Sequence, residues 1–257
     1  MPAEKRSYQE MVDIPNPFLP IFDGFRVEID ENHLARERII KASRDVTALS
    51  KKAVRTINSG IPQNISAEVQ GRFEAISELF KVMSKDLQGI NSWRYQRQAS
   101  PGIQEFIEAF SFEHYLRTGK LVTRELAMKG MIWDIPLTID DYALGLFDLS
   151  GEIMRFAVTA IATTGALPHL KSGHSTIGRS ILTDLRHLRS SFEALDTTSC
   201  HGTSLGGEID KKMETMVQSV EKVENAACSL IIRDHERPKH MPKPNDNNWP
   251  TKEESLS

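Results

Sequence analysis

Apolar residues recur at intervals of three and four along most of this chain, the spacing of one face of an α-helix. Ile39, Ala42, Val46, Leu49, Ala53 and Ile57 mark such a face across residues 34–57. Phe73, Ile76, Phe80, Met83, Leu87 and Ile90 continue a second series that begins at Val69 and runs close to a heptad. Ser100-Pro101-Gly102 predicts a helix start, with Ser100 as N-cap and Pro101 in the first helical position, opening a segment to about Thr118. A short helix is expected after Thr123. Thr138 with Asp141 three residues on is a capping pair for a long helix ending near Gly165. Ile177, Ile181, Leu185, Leu188, Phe192 and Leu195 mark another helix, and Ile209, Met213, Met216, Val220, Val223, Ala227 and Leu230 the last. No run alternates as a half-buried strand does. The pattern predicts an all-α protein, an antiparallel bundle of long helices.

Three segments are expected. Residues 1–30, with Pro15, Pro17 and Pro20, read as an extended arm; residues 31–233 as the helical domain; residues 234–257, polar and carrying Pro238, Pro242, Pro244 and Pro250, as an irregular tail. Hydrophobic residues at 39% and charged residues at 26% of 257 describe a globular chain with material for a core, against a mostly disordered one. A net charge of −3 argues against a globally basic nucleic-acid binder but leaves a local basic face open. No apolar run approaches a membrane span, and the first residues lack a signal peptide's apolar core, so no membrane association is expected. Cys200 and Cys228 are the only cysteines, which excludes a disulfide framework or a cysteine metal cage. A reduced, intracellular compartment is expected.

Two apolar segments carry the candidate chemistry. In GIQEFIEAFSFEHY (102–115), Glu105 and Glu108 fall about 60° apart on one side of a helix. Ile103, Phe106, Ile107 and Phe110 fill the other side, so Glu105 is expected to be buried with its helix. In DDYALGLFDLSGEIMRF (140–156), Asp148 and Glu152 are four apart, and Asp141 shares their stripe one heptad earlier. Gly145 and Gly151 border that stripe and leave room for a helix, solvent or ligand. Facing carboxylates repel unless a cation neutralises them, and oxygen-only ligands select Mg²⁺, Mn²⁺ or Ca²⁺ over zinc. Such an ion would orient and polarise a phosphodiester. From the residues alone a second reading stands beside this one: solvated helix faces with local ion pairs, Arg155 pairing with Glu152. The Glu-x-x-His pairs of a ferritin-like di-iron site are absent.

Lys41, Arg44, Lys51, Lys52 and Arg55 cluster within about 100° of the first helix, opposite its apolar face. This stripe is either a phosphate-binding surface or a solvated face. Arg94 and Arg97, interleaved with Trp93 and Tyr95, suit contact with single-stranded nucleic acid or a packed helix end.

Four blocks together resemble a known family. GIQEFIEAFSFEHYL, DYALGLFDLSGEIMR, KVENAACSLIIRDHERPKHM (222–241) and FRVEIDENHLARERIIKASRDVTALSKKAV (25–54) are similar, in the same order, to the blocks of the translin-associated factor X (Trax) family, over roughly residues 20–241. SFEHYL and DLSGE resemble Trax more than translin itself. The resemblance implies about seven helices and partnership with a translin homologue in a hollow hetero-oligomeric endoribonuclease, in which the Trax subunit is catalytic. It implies an Mg²⁺-dependent cleavage of single-stranded RNA, with Mn²⁺ as substitute, in the cytoplasm, the nucleus or both. The family's acidic residues fall on Glu105, Glu108, Asp148 and Glu152, all of which keep their carboxylates. Residues 120–138 form a short connection where Trax chains can be longer. The alternative from a different class is a non-catalytic, RNA-carrying scaffold subunit of a translin hetero-oligomer.

Overall fold

The computed structural model describes residues 18–59, 64–131, 135–170, 179–195 and 204–236. Eight helices occur among them: α1 (Leu19–Asn58), α2 (Asn64–Asp86), α3 (Ile90–Arg94), α4 (Gln96–Thr118), α5 (Arg124–Met131), α6 (Ile139–Thr164), α7 (Ile181–Glu193) and α8 (Ser204–Glu236). A two-residue antiparallel pair, β1 (His169–Leu170) with β2 (Arg179–Ser180), joins α6 to α7. The all-α bundle is as the periodicity predicts.

The boundary of the N-terminal arm is corrected. Residues 19–30 are not extended but form the first turns of α1, because Pro20 stands at the start of the helix, where its missing N–H has no partner to lose. Residues 1–17 and 237–257, with the rest of the expected arm and most of the expected tail, lie outside the described residues.

The start of α4 is corrected too. It begins at Gln96, so Pro101 sits inside the helix and Ser100 is not its cap. Beside the proline, α1 bonds directly to the backbone of this helix. Ser43 Oγ accepts from the Gly102 N–H at 3.1 Å and faces the Ala99 carbonyl at 3.4 Å. A Cβ on Gly102 would stand 2.8 Å from the Ser43 carbonyl oxygen, so only glycine lets α1 approach this closely. Thr138 caps α6 as expected: its Oγ1 accepts from the Asp141 N–H at 3.0 Å. Gly165, at φ 66°, closes the same helix in a left-handed cap.

Helix α4 is the centre of the bundle, packed between α1 and α6; α2 lies against α1, and α8 against α6 with α7 beside it. One core cluster joins Ile39 and Val46 of α1, Ile76 and Phe80 of α2, and Ile103 and Phe106 of α4. A second joins Ala53 and Ile57 of α1, Phe112 of α4, Leu149 and Ile153 of α6, and Val223 of α8. Both of α4's apolar sides are therefore consumed by packing, and its Glu105–Glu108 side is the one left to face a cavity.

Candidate functional site

The two carboxylate helices meet at a glycine. An added Cβ on Gly145 would lie 2.7 Å from Ile107 Cγ2 and 3.0 Å from the Gln104 carbonyl oxygen. That close approach brings Glu105 and Glu108 of α4 opposite Asp148 and Glu152 of α6. Around Gly151, by contrast, nothing stands within 4 Å of an added Cβ, and this glycine borders the opening.

The opening is a pocket of about 440 Å³ lined by all four carboxylates, by Lys51 and Arg55 of α1, Arg155 of α6, and Lys212 and Thr215 of α8. Its acids are not equivalent. Glu105 pairs with Lys51 (Oε1 to Nζ 2.8 Å) and stays about a quarter exposed, so the expectation that it is deeply buried is corrected: it stands at the mouth. Asp148 is held by the Lys212 ammonium group. Glu152 is the most enclosed, its side chain 10% exposed, with Arg155 Nη1 at 3.3 Å and the Asn58 amide donating to Oε2 at 2.7 Å. Among the described residues Glu108 has neither ion pair nor hydrogen bond. Burial and the charges of Glu105, Asp148 and Glu152 push its carboxyl up to about 8, with Lys212 opposing them.

Asp141 leaves the stripe it shares in sequence. It is buried outside the pocket lining, among neutral donors. Gln96 Nε2 donates to Oδ2 at 2.6 Å, Gln104 Nε2 to Oδ1 at 2.9 Å, Thr138 Oγ1 to Oδ2 at 2.8 Å, and the Ser100 hydroxyl to Oδ1. It therefore ties the start of α6 to the first turns of α4, upstream of both acidic pairs.

The basic candidates divide. Lys51 and Arg55 enter the pocket; Lys41, Arg44 and Lys52 are exposed on α1 outside its lining. Arg94 donates to Asn32 Oδ1 at 2.6 Å and Arg97 is exposed, neither lining the pocket. Tyr95 is buried with its hydroxyl on Asn32, a packed helix end, whereas Trp93 is 83% exposed. Sequence reasoning missed Asn58 and Lys212. No spacing singles out either one, since their partners lie 94 and 64 residues away.

The donor set is chemically suited to a hard divalent cation: four carboxylates, one of them uncompensated and forced toward its protonated form. Among the described residues no three Asp, Glu, His or Cys side chains are already gathered as a metal-holding group. In this arrangement three of the four acids are turned to basic partners instead.

The sequence profile of the Translin family matches residues 34–234, the span that holds every residue lining the pocket. The chain belongs to the Translin family. It is 26% identical to Translin-associated protein X of Mus musculus over 268 residues, covering 93% of this chain and 87% of that protein. Against Translin-associated protein X homolog of Schizosaccharomyces pombe it is 27% identical, covering 84% and 89%. Two solved structures share the fold of this family member: the crystal structure of AfC3PO (TM-score 0.61, 19% identity, 82% of this chain and 97% of that chain) and that of apo-NeC3PO (TM-score 0.58, 15% identity, 84% and 98%).

Proposed function

We propose that this chain is the catalytic subunit of a translin–Trax type endoribonuclease, which hydrolyses phosphodiester bonds of single-stranded RNA with Mg²⁺ or Mn²⁺. The observation that carries the reading is the convergence of Glu105, Glu108, Asp148 and Glu152, from two helices, on one pocket that also holds four basic side chains. When bound, the divalent ion supplies charge neutralisation at the phosphodiester and lowers the pKa of an attacking water. The four carboxylates are the groups that would hold it. Lys51, Arg55, Arg155 and Lys212 draw the RNA phosphates to the rim. Lys41, Arg44 and Lys52 extend the attraction along α1, Lys41 standing about 15 Å from Lys51. Glu108 is assigned as the proton acceptor, as the one carboxylate of the four with no ion-pair partner among the described residues.

Assembly with a translin-type partner is part of the proposal. Residues 18–31, the start of α1 and its N-cap Phe18, are exposed and present Phe18, Leu19, Ile21, Phe22, Phe25, Val27 and Ile29, while α8 presents Ile231 and Ile232. Apolar side chains left in solvent in this number call for a protein interface. Among the described residues no helix is long and apolar enough to cross a membrane.

The test is cleavage of labelled single-stranded RNA by the purified complex. Activity should vanish in EDTA, return with Mg²⁺ or Mn²⁺, and be abolished in Glu105→Gln with folding and RNA binding intact. Full activity in that variant removes Glu105 from the site. A second reading, a non-catalytic RNA-carrying scaffold, is favoured by the three ion-paired carboxylates; it expects RNA binding with no metal-dependent cleavage.

A further inference from the structure

The pocket holds as many basic as acidic side chains, and two of the bases occupy the acids directly. Lys51 of α1 sits on Glu105, and Lys212 of α8 sits on Asp148. Both pairs are cross-helix contacts at the open side of the pocket. Each lysine is a single ammonium group on a flexible stem, with 53% of the Lys51 and 25% of the Lys212 side chain in solvent, so each can swing outward without disturbing its helix. Arg155 differs: it pairs with Glu152 three residues away on its own helix.

We propose that Lys51 and Lys212 are exchange cations, which neutralise Glu105 and Asp148 in the metal-free pocket and pass to a phosphate group of the RNA strand when a divalent ion takes those carboxylates. The inference rests on the divalent-ion reading of the site and adds to it a coupling between ion and strand. Three ionised acids and a largely protonated Glu108 against four bases leave the metal-free pocket with a net charge near +1 and only a weak attraction for a phosphodiester. A bound divalent ion changes that balance by two positive charges, and the two released ammonium groups carry part of the excess at the mouth. Ion and strand then each strengthen the binding of the other, by the same factor. The lysines also set the affinity for the ion, since it must displace them.

The two effects have opposite signs in one variant, which a structural role does not produce. The experiment uses the full chain assembled with its translin-type partner. Mn²⁺ binding is measured alone by titration calorimetry, and a fluorescein-labelled oligouridylate is titrated by anisotropy in Ca²⁺ and in EDTA at one fixed salt concentration. Lys212→Met should bind Mn²⁺ about fivefold more tightly, the scale of one part-exposed ion pair. It should bind the oligonucleotide about fivefold more weakly in Ca²⁺, with little change in EDTA. Lys51→Met should repeat both signs, and Lys212→Arg should restore most of the oligonucleotide affinity. Unchanged or weaker Mn²⁺ binding in both methionine variants overturns the exchange, as does an equal loss of RNA affinity with and without Ca²⁺. A wild-type complex that binds no Mn²⁺ refutes the divalent-ion reading itself and the exchange with it; wild-type binding with unmoved variants refutes the exchange alone.

Discussion

Replacing Gly145 with alanine places a methyl group where α6 meets α4, and the cost can be worked from the contacts. The new Cβ would stand 2.7 Å from Ile107 Cγ2, 2.8 Å from Ile107 Cβ and 3.0 Å from the Gln104 carbonyl oxygen. Carbon atoms rest at about 3.5 Å or more, so roughly 0.8 Å must be found. Ile107 is fully buried and β-branched, with little rotamer freedom, and the Gln104 oxygen is backbone. The helices themselves must therefore separate. Overpacking of this kind costs about 1–3 kcal/mol, against a helix-propensity gain of about 1 kcal/mol for alanine over glycine. The net expectation is a loss of up to about 2 kcal/mol, or a melting temperature lower by up to several degrees in a domain of this size. Gly151→Ala, six residues along the same helix, meets nothing within 4 Å and should keep only the propensity gain, raising stability by up to about 1 kcal/mol. Thermal and urea denaturation of both variants in one buffer is the assay. The separation also moves Glu105 and Glu108 away from Asp148 and Glu152, so RNA cleavage by Gly145→Ala should fall further than its folded fraction. A Gly145→Ala protein that gains as much stability as Gly151→Ala would refute the close approach on which the site's geometry depends.

Two further outcomes are expected. Because Glu108 is raised from 4.5 to about 8 on folding, the folded metal-free chain keeps a proton that the unfolded chain releases; this contribution is complete below about pH 4.5 and is lost as pH rises through 8. Urea unfolding in EDTA should thus show a loss of up to a few kcal/mol between pH 5 and 8.5 that Glu108→Gln removes, and an equal slope in both proteins would contradict the burial of an uncompensated carboxyl. Asp141→Ala should destabilise the chain by about 2 kcal/mol, since it removes the acceptor shared by the half-buried donors of Gln96, Gln104, Ser100 and Thr138; a loss below 1 kcal/mol by denaturant titration would show that network to be dispensable.

The close approach, the Asp141 network and the Ser43 contact beside Pro101 share one consequence. All three fix α4 relative to its neighbours, Ser43 against α1 and Asp141 and Gly145 against α6. The catalytic proposal needs carboxylates from two helices held in register, and the register is set by contacts that carry no chemistry of their own.

Much of this was legible in the chain itself. Periodicity alone marks the long helices, and Thr138 with Asp141 marks where α6 begins, because a cap is chemistry between residues three apart. The acidic pairs, too, are visible as i,i+3 and i,i+4 spacings on helices with few other polar positions. The limits are equally physical. Asp141 and Asp148 lie one heptad apart on the same stripe, about 10 Å along the axis. One is enclosed by neutral donors from α4, while the other opens to the pocket and to Lys212. Ser100 and Pro101 carry the signature of a helix start, yet the helix begins five residues earlier and a serine from α1 bonds the Gly102 N–H within it. Helical spacing states which side chains share a face; what stands opposite that face is decided by how helices distant in sequence pack, and only there did Asn58, Lys51 and Lys212 come to meet the acids.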